Sequence, residues 1–243
     1  MDKDVFLILG ASSDLGCAVI QDLKNCIVLA HYHTGIDKLK RLENLNDVTL
    51  IPIQADLSDE TSLQQLMTTI KSHCLHPTKI LHFAAQKFKY TRFKEMDWQE
   101  TAFDFNLQVK SIALLLKGFL PLMSGAKNGK VIFVLSSVTQ GTPPKMLSSY
   151  VMIKYALLGL MKSLAVEYAE KNIQINAVSP SMIETSFLSN LPEKLVELNA
   201  ENHPLKRNAL VQDIVPIIHF LLSPKANFMT GVNIPVTGGL NIS

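Results

Sequence analysis

The stretch DVFLILGASSDLGCAVIQDLK, residues 4–24, decides the fold of this chain. It opens with an apolar run from Val5 to Leu9, continues through a turn at Gly10, and ends in an amphipathic helical pattern. This order is typical of the first strand–turn–helix unit of a dinucleotide-binding α/β fold. We predict that Gly10 permits the sharp turn and that Gly16 lets the helix pack on the strand. The exposed amides at the start of the helix suit a pyrophosphate.

Strand and helix patterns alternate along the rest of the chain. Predicted strands cover residues 5–9, 27–30, 49–53, 80–84, 131–135, 174–178 and 232–236, and predicted helices cover residues 15–23, 37–45, 59–72, 97–123, 150–170 and 213–222. This alternation predicts an α/β fold, a doubly wound parallel sheet of about seven strands with helices on both faces. At 243 residues, without an internal repeat or linker, we expect a single domain over 1–243.

A tyrosine and a lysine stand four residues apart in SSYVMIKYALLGLMKSLAVEYA, residues 148–169. Four residues make about one helical turn, so Tyr150 and Lys154 share a helix face. A free tyrosine titrates near ~10, and a neighbouring cation brings it toward the range of a general acid or base. Ser137 stands thirteen residues upstream, at the end of the apolar run VIFVLSS. The combination predicts a proton-transfer site.

A second pair with the same spacing serves as an internal comparison. Tyr90 and Lys94 lie in the charged stretch QKFKYTRFKEMD, residues 86–97, and a proline stands thirteen residues upstream. We interpret this pair as a solvated face or a loop on the substrate side rather than as the catalytic pair.

These segments together resemble the short-chain dehydrogenase/reductase superfamily in its compact single-domain form, and its 3-oxoacyl-carrier-protein reductase-like members. The resemblance covers nearly the whole chain and rests on motifs in the family's order and spacing: GASSDLG at 10–16, ADL at 55–57, HFAA at 82–85, FNLQ at 105–108, SPSMIET at 179–185 and TGVNIPVTGG at 230–239. It implies a Rossmann fold and a hydride transfer between a nicotinamide cofactor and a carbonyl or alcohol substrate.

The resemblance also implies four catalytic roles. Tyr150 would protonate the developing alkoxide, and Ser137 would donate a hydrogen bond to the same oxygen. Lys154 would hold the nicotinamide ribose hydroxyls and lower the tyrosine pKa. Asn106 would hold a helix distortion and a water that relays protons to Lys154.

The cofactor-binding residues implied by the resemblance are Gly10, Ser12, Ser13, Asp14, Leu15, Gly16, Tyr32, His33, Thr34, Asp56, Leu57, Ala84, Ala85, Tyr150, Lys154, Pro180, Ile183 and Thr185. An acidic residue after the second strand would mark NAD. This chain reads LAHYHTG there, with no carboxylate until Asp37. We therefore expect NADP(H) to be favoured, with NAD(H) possible. No metal site is predicted.

The chain departs from the family pattern at three places. Asp14 replaces the middle glycine of the first motif, where its carboxylate can cap the helix but lies near the expected phosphates. HFAA lacks the usual asparagines and final glycine, and Ser181 replaces the glycine after Pro180.

Two other functions are weighed against an oxidoreductase. A non-catalytic dinucleotide-binding protein would need no catalytic serine. A nucleotide-sugar epimerase or dehydratase would share the tyrosine–lysine pair. However, such relatives usually carry a longer C-terminal substrate domain than the helix and strand that follow residue 210 here.

The composition limits which binding partners and which cellular compartment we expect for this protein. The formal net charge of +2, without a basic cluster, gives no case for nucleic acid. The apolar stretch 111–123 is interrupted by Lys117 and Pro121, so no membrane span is expected. Three cysteines without metal spacing suit a reducing compartment, and the N-terminus lacks a signal-sequence core. We expect a cytoplasmic protein that acts on a small-molecule carbonyl or alcohol.

Two further expectations concern assembly and the substrate pocket. Within the predicted helices 97–123 and 150–170, the segments SIALLLKGFLPLM and YALLGLMKSLAVEYA are apolar almost all round, which indicates either a central core position or a subunit contact. The resemblance implies a homo-tetramer, in which these two helices pair across a two-fold axis and the C-terminal strand makes a second contact. The irregular stretch 181–210, by resemblance, forms the lid over the substrate.

Overall fold

The computed structural model describes residues 3–43, 45 and 47–240. Its centre is a seven-stranded sheet in which every neighbouring pair of strands runs parallel, in the order β3-β2-β1-β4-β5-β6-β7. The strands are β1 Asp4–Leu9, β2 Cys26–Tyr32, β3 Thr49–Gln54, β4 Lys79–His82, β5 Gly129–Val134, β6 Ile173–Pro180 and β7 Asn233–Val236. The predicted doubly wound parallel sheet is confirmed.

The helices cover both faces of this sheet. They are α1 Asp14–Asp22, α2 Ile36–Lys40, α3 Glu60–Ser72, α4 Trp98–Phe105, α5 Ser111–Ala126, α6 Ser148–Tyr168, α7 Glu193–Asn202 and α8 Val211–Leu222. One core packs α3, α5 and α6 on one face, and a second core packs α1, α2 and α8 on the other. Along β1, Leu7 and Leu9 enter the first core while Phe6 and Ile8 enter the second. This alternation follows from the two-residue period of a strand.

Side-chain caps fix where several helices begin. Ser13 accepts a hydrogen bond from Gly16 N at 3.0 Å at the start of α1, and Asp59 accepts one from Ser62 N at 2.7 Å at the start of α3. Asp97 accepts from Gln99 N at 2.7 Å at the start of α4. Such caps satisfy first-turn amides that have no acceptor within the helix.

The predicted helix 97–123 is three segments in the structure. α4 gives way at Asn106 to a π-helical turn, Asn106–Lys110, before α5 continues from Ser111. Predicted helix 37–45 is shorter, since α2 ends at Lys40, and position 44 in its range lies outside the described residues. α7 lies inside the stretch 181–210 and was not predicted.

Two helical stretches, Trp98–Ala126 and Ser148–Lys171, are long and apolar enough by length and composition to cross a membrane. Both pack against the sheet through the first core, which includes Ile112 and Phe119 of α5 and Leu157 and Met161 of α6. A core helix of an α/β domain passes the same test, so their apolar character follows from that packing.

Candidate active site

A cavity of about 630 Å³ opens at the carboxyl ends of the strands. Residues that follow β1 and residues that follow β4 face each other across it, at the point where the strand order reverses direction. Open α/β sheets bind ligands at such switch points. The cavity is therefore where a dinucleotide site is expected.

The turn after β1 depends on two glycines. Gly10 has a φ of +76°, and a Cβ placed there would lie 2.8 Å from Ala84 N at the end of β4. A Cβ at Gly16 would lie 2.7 Å from Ala11 O, so α1 packs directly against the turn that precedes it. A side chain at either position would force these segments apart.

His31 braces the same turn from β2. Gly10 N donates to His31 Nδ1 at 3.1 Å, and the other ring nitrogen, Nε2, lies 3.1 Å from Ala55 O after β3. Burial lowers the pKa of His31 to about 4, so the ring is neutral at physiological pH. A neutral ring that accepts at Nδ1 carries its proton on Nε2 and donates it to Ala55 O. His31 thus ties three adjacent strand ends together.

The N-terminal end of α1 lines the cavity through Ser13, Asp14 and Leu15. First-turn amides have no intrahelical acceptor and the helix dipole favours negative charge there, so this end fits a pyrophosphate. The carboxylate of Asp14 accepts from Lys38 Nζ at 2.7 Å and from Ser186 N at 2.6 Å. Burial tends to raise the pKa of Asp14, but these hydrogen bonds outweigh it and hold the pKa below its ordinary value.

The far end of the cavity is lined by His33, Thr34 and Gly35 after β2 and by Asp56 and Leu57 after β3. Lys38 of α2 also reaches this end. Ser12 Oγ donates to Thr34 O at 2.9 Å, which fixes the first turn against the loop after β2. Lysine is a phosphate ligand, so this end offers a cation for a phosphate on the adenosine ribose.

Tyr150 and Lys154 of α6 line the opposite end of the cavity, next to Ser136 and Ser137 at the end of β5. Lys154 Nζ lies 5.5 Å from the centroid of the Tyr150 ring. The Ser136 hydroxyl hydrogen-bonds the Tyr150 side chain. Ser137 begins a short 3-10 turn that follows β5. Ser136 therefore contacts the phenol, and Ser137 lines the same cavity.

The Tyr150 pKa moves in the direction opposite to the expected one. Burial raises it to about 12, and the hydrogen bond from Ser136 offsets only part of that rise. The charge of Asp104 adds to the rise. The ammonium of Lys154 donates its hydrogen bonds to Gln108 Oε1 and Val134 O.

The side chain that contacts Lys154 is Gln108. Lys154 Nζ donates to Gln108 Oε1 at 3.0 Å, and Gln108 is fully buried. Asn106 does not line the cavity, although the predicted helix distortion begins at that residue as the π-helical turn. The wider turn places the second residue after Asn106, rather than Asn106 itself, over the lysine.

An aromatic group covers the phenol on the substrate side. The Phe88 ring lies 4.8 Å from the Tyr150 ring, and Tyr90 and Phe187 lie 5.9 and 5.8 Å from Phe88. Two contacts join the stretch 181–210 to the loop that carries Phe88: Lys87 Nζ donates to Ser189 Oγ at 2.6 Å, and Asn190 Nδ2 donates to Phe88 O at 2.8 Å.

Most of the predicted site residues meet in this one cavity: Gly10, Ser12, Ser13, Asp14, Leu15, His33, Thr34, Asp56, Leu57, Ala84, Ala85, Ser137, Tyr150, Lys154, Pro180, Ile183 and Thr185. Gly16, Tyr32 and Asn106 do not line it. Gly16 lies behind the turn, and Tyr32 packs on the second core. Within the described residues, no group of three or more His, Cys, Asp or Glu side chains could hold a metal ion.

Sequence reasoning missed Gln108, Lys38, Ser136 and Phe88. Gln108 lies two positions after the predicted Asn106, and Ser136 lies one position before the predicted Ser137. Lys38 carried a usable signal, because it is a cation close to the end of the predicted second strand. Phe88 lies in the stretch 86–97, which the sequence indicates as a possible loop on the substrate side, but nothing in the sequence distinguishes this residue within it.

A Rossmann sheet with a tyrosine and a lysine at the end of the dinucleotide cavity defines a class of nicotinamide-dependent oxidoreductase. The family model described as Enoyl-(Acyl carrier protein) reductase matches residues 15–241. The chain belongs to the short-chain dehydrogenase/reductase superfamily, and it is an NAD(P)-dependent oxidoreductase.

Three similar proteins illustrate the relationship. The chain is 28% identical over 246 residues to the 3-oxoacyl-[acyl-carrier-protein] reductase FabG of Pseudomonas aeruginosa, with 98% of each chain covered. It is 41% identical over 243 residues to the human dehydrogenase/reductase SDR family member 2, mitochondrial, with 96% of this chain and 85% of that one covered. The crystal structure of a 3-oxoacyl-[acyl-carrier protein] reductase from Brucella melitensis superposes with a TM-score of 0.89 at 22% identity, over 100% of this chain and 92% of that one.

Proposed function

We propose that this protein is a carbonyl reductase that uses NADPH, with Tyr150 as the proton donor. The observation that supports this most is the placement of Tyr150, Lys154 and the N-terminal end of α1 around one cavity. A dinucleotide with its pyrophosphate at α1 would extend toward the tyrosine. The relatives named above are reductases or dehydrogenase/reductases, and neither the non-catalytic protein nor the epimerase gains support from them.

The residues divide the chemistry as follows. The bound cofactor supplies the hydride. Tyr150 gives its phenol proton to the oxygen of the substrate carbonyl as that oxygen gains negative charge. A serine hydroxyl, from Ser137 as the resemblance implies or from Ser136 as its contact with Tyr150 suggests, donates to the same oxygen. Lys154 presents its ammonium to the ribose of the cofactor.

The raised pKa of Tyr150 favours the reducing direction. A phenol with a pKa of about 12 is fully protonated at neutral pH, so the proton that reduction requires is always present. Oxidation of an alcohol requires the phenolate, which is scarce at that pH. At neutral pH the tyrosine is thus in the protonated form from which reduction starts.

The preference for NADPH rests on charge at the adenosine end. Lys38 reaches this end of the cavity, and the residues beside it, His33, Thr34 and Gly35, carry no carboxylate. Lys38 is held by Asp14 in this structure. A phosphate on the ribose would offer the ammonium a second anionic partner, whereas NADH would offer none there.

The lining of the substrate end favours an apolar substrate. Phe88, Tyr90 and Phe103 face Phe187 and Leu188 of the stretch 181–210 across this end of the cavity. Such a surface stabilises an alkyl or aryl group beside the carbonyl and gives a polyhydroxylated sugar few hydrogen-bond partners. We also propose that 181–210 is the lid of the single domain, over this end.

Two proposals concern the whole protein. Apolar side chains stand exposed on the helices predicted to form subunit contacts, among them Trp98 and Phe105 of α4 and Val166 of α6, which supports a homo-tetramer. A cytoplasmic location is supported by similarity to bacterial reductases such as that of Pseudomonas aeruginosa.

The test is NADPH oxidation followed by absorbance against a panel of carbonyl compounds that varies from alkyl and aryl ketones to sugars. We expect turnover with apolar ketones and a weaker rate with NADH. Turnover confined to sugars would contradict the substrate class, and turnover with no carbonyl compound, despite tight cofactor binding, would favour the non-catalytic alternative.

A further inference from the structure

The ammonium of Lys154 is held by a short series of side chains that leads away from the cofactor cavity. Lys154 Nζ donates to Gln108 Oε1 at 3.0 Å, and Gln108 Nε2 donates to Asp104 Oδ1 at 2.7 Å. A carboxylate only accepts hydrogen bonds, so it attracts the NH₂ end of the carboxamide. Asp104 therefore determines that the oxygen end of Gln108 faces the cation.

The main chain of Gln108 is engaged by a different partner. Its carbonyl oxygen lies 2.9 Å from His82 Nε2 at the end of β4. Burial lowers the pKa of His82 to about 3, so the ring is neutral and donates at this nitrogen. Because His82 engages the carbonyl of Gln108, the carboxamide is the group of this residue that contacts Lys154, which donates to Val134 O as well.

We propose that Asp104 is a positioning residue of the active site, which orients Gln108 and supplies the negative charge that keeps the buried Lys154 protonated. The proposal rests on the function proposed above, in which Lys154 holds the cofactor ribose. Asp104 itself does not line the cofactor cavity. It acts through Gln108, one step removed from the reacting atoms.

The charged and titratable groups around Lys154 are consistent with this role. Burial lowers the pKa of Lys154 to about 8, and the negative charge of Asp104 acts in the opposite direction. His82, on β4, is neutral, and Tyr150, on α6, is protonated. Among the described residues, Asp104 is thus the carboxylate that acts on this ammonium.

The buried position of Asp104 raises its pKa above the ordinary value. Hydrogen bonds from Gln108 and from the main chain of Gln86, and the charge of Lys154, oppose this rise and favour the carboxylate. Asp104 also lines a neighbouring cavity of about 500 Å³ on the other side of Tyr150. A substitution at Asp104 therefore replaces no side chain that lines the cofactor cavity.

The experiment measures the titration of Lys154 directly. In the apo protein, the ¹³Cε signal of Lys154 is followed by NMR against pH and is assigned by its absence in Lys154→Arg. In Asp104→Asn, which keeps the shape and removes the charge, we expect the titration midpoint to fall by about one pH unit. Glu100→Gln is the matched control, because Glu100 is an exposed carboxylate one turn earlier on α4 whose partner is Lys89. It should leave the midpoint unchanged.

Two further variants separate charge from folding. Asp104→Asn combined with Gln108→Glu moves the carboxylate one step closer to the ammonium, and we expect it to restore or raise the midpoint. Gln108→Met interrupts the series from the other end and should lower the midpoint while Asp104 is intact. A midpoint in Asp104→Asn and Gln108→Met that equals the value in Glu100→Gln would overturn the proposal.

A second measurement needs no substrate. The dissociation constant of NADPH is titrated by fluorescence between about pH 6 and pH 9, and we expect it to begin rising at a lower pH in Asp104→Asn than in the unsubstituted protein. An equal loss of affinity at every pH would indicate a structural role and refute the proposal. Failure of the unsubstituted protein to bind NADPH, with a shifted Lys154 midpoint in the variant, would instead remove the proposed function and leave the coupling of Asp104 to Lys154 established.

Discussion

The carboxylate of Asp14 accepts a hydrogen bond from the main-chain amide of Ser186 at 2.6 Å, which joins the N-terminal end of α1 to the start of the proposed lid. The same carboxylate holds Lys38 at 2.7 Å. The carboxylate of Asp14 therefore has three roles. It lies at the anion-binding end of α1, it contacts the proposed lid, and it pairs with Lys38, the cation proposed to select the cofactor. We expect a dinucleotide bound with its pyrophosphate at α1 to alter all three.

Asp14→Asn should bind NADPH more tightly, by about fivefold, because the neutral amide neither repels the phosphates nor competes for Lys38. The amide oxygen can still accept from Ser186, so the lid contact is kept. Fluorescence titration measures the affinity. Asp37→Asn removes an equal charge from an exposed position paired with Lys40 and should have little effect. Weaker binding in Asp14→Asn would show that the carboxylate organises the site.

Tyr150→Phe should reduce turnover by about 10²- to 10⁴-fold, because the phenol proton is lost while the ring keeps its packing under Phe88. NADPH affinity should stay within about twofold, since the hydroxyl serves chemistry rather than binding.

Tyr90→Phe is the matched control for that change. Tyr90 lines the same cavity and lies 5.9 Å from Phe88. Removing its hydroxyl in Tyr90→Phe should leave kcat and KM nearly unchanged. A large loss in Tyr90→Phe, with a small one in Tyr150→Phe, would mean that the other tyrosine is the proton donor.

Lys38→Met should weaken NADPH binding by about 10- to 100-fold and leave NADH binding almost unchanged, because a charge-assisted contact to the ribose phosphate is lost. Titrating both cofactors gives the two values. Lys40→Met, on the same helix, removes a cation that is paired with Asp37 outside the cavity, and should not alter the ratio. Equal losses for both cofactors in Lys38→Met would argue against a phosphate contact.

The two directions of the reaction should respond to pH in opposite ways. The raised pKa of Tyr150, about 12, means that phenolate increases with pH throughout the accessible range, so alcohol oxidation should rise about tenfold per pH unit near neutrality. Carbonyl reduction should be level at neutral pH and decline above about pH 8, where Lys154 loses its proton. Profiles of kcat/KM in both directions check this, and an oxidation profile that levels off near neutral pH would show a phenol with a lowered pKa.

Light scattering at micromolar concentration should give about 108 kDa, four times the 27.0 kDa of the chain. Val166→Lys, which places a charge at an exposed apolar position of α6, should yield smaller species, whereas Val166→Ala should not. A 27.0 kDa species for the unsubstituted protein would refute the assembly, and a dimer would show that a second contact is missing.

The sheet could be predicted because β1, β2 and β5 each carry a continuous apolar run, which is how strands read when both of their faces are buried. The positions of Tyr150 and Lys154 followed from the same signal, since a strand end and a helix start place both side chains at the carboxyl edge. α7 gave no such signal: none of its residues is buried, so it has no apolar stripe to detect.

The contacts that sequence could not supply arise between elements. The pairing of Lys38 with Asp14 depends on how α2 approaches α1, and the two residues are 24 positions apart. The contact between Gln108 and Lys154 depends on a π-helical turn; the resemblance implies a distortion at Asn106, but the sequence does not show that it brings Gln108 to the lysine. A tyrosine pKa near 12 likewise depends on burial beneath Phe88, a loop residue distant in sequence.

The π-helical turn between α4 and α5 also limits how the length of this chain can change. A π turn holds one residue more than an α turn, and each residue of a helix advances the next by about 100° around the axis. Deleting one residue from 106–110 would restore a regular helix and leave α4 and α5 nearly in phase, because the turn would lose its extra residue. Insertions here, or longer deletions, would rotate α4 against α5 and displace the apolar face of α5. In related sequences, a length change at this segment should therefore be a single-residue deletion, and it should cost the contact of Gln108 with Lys154.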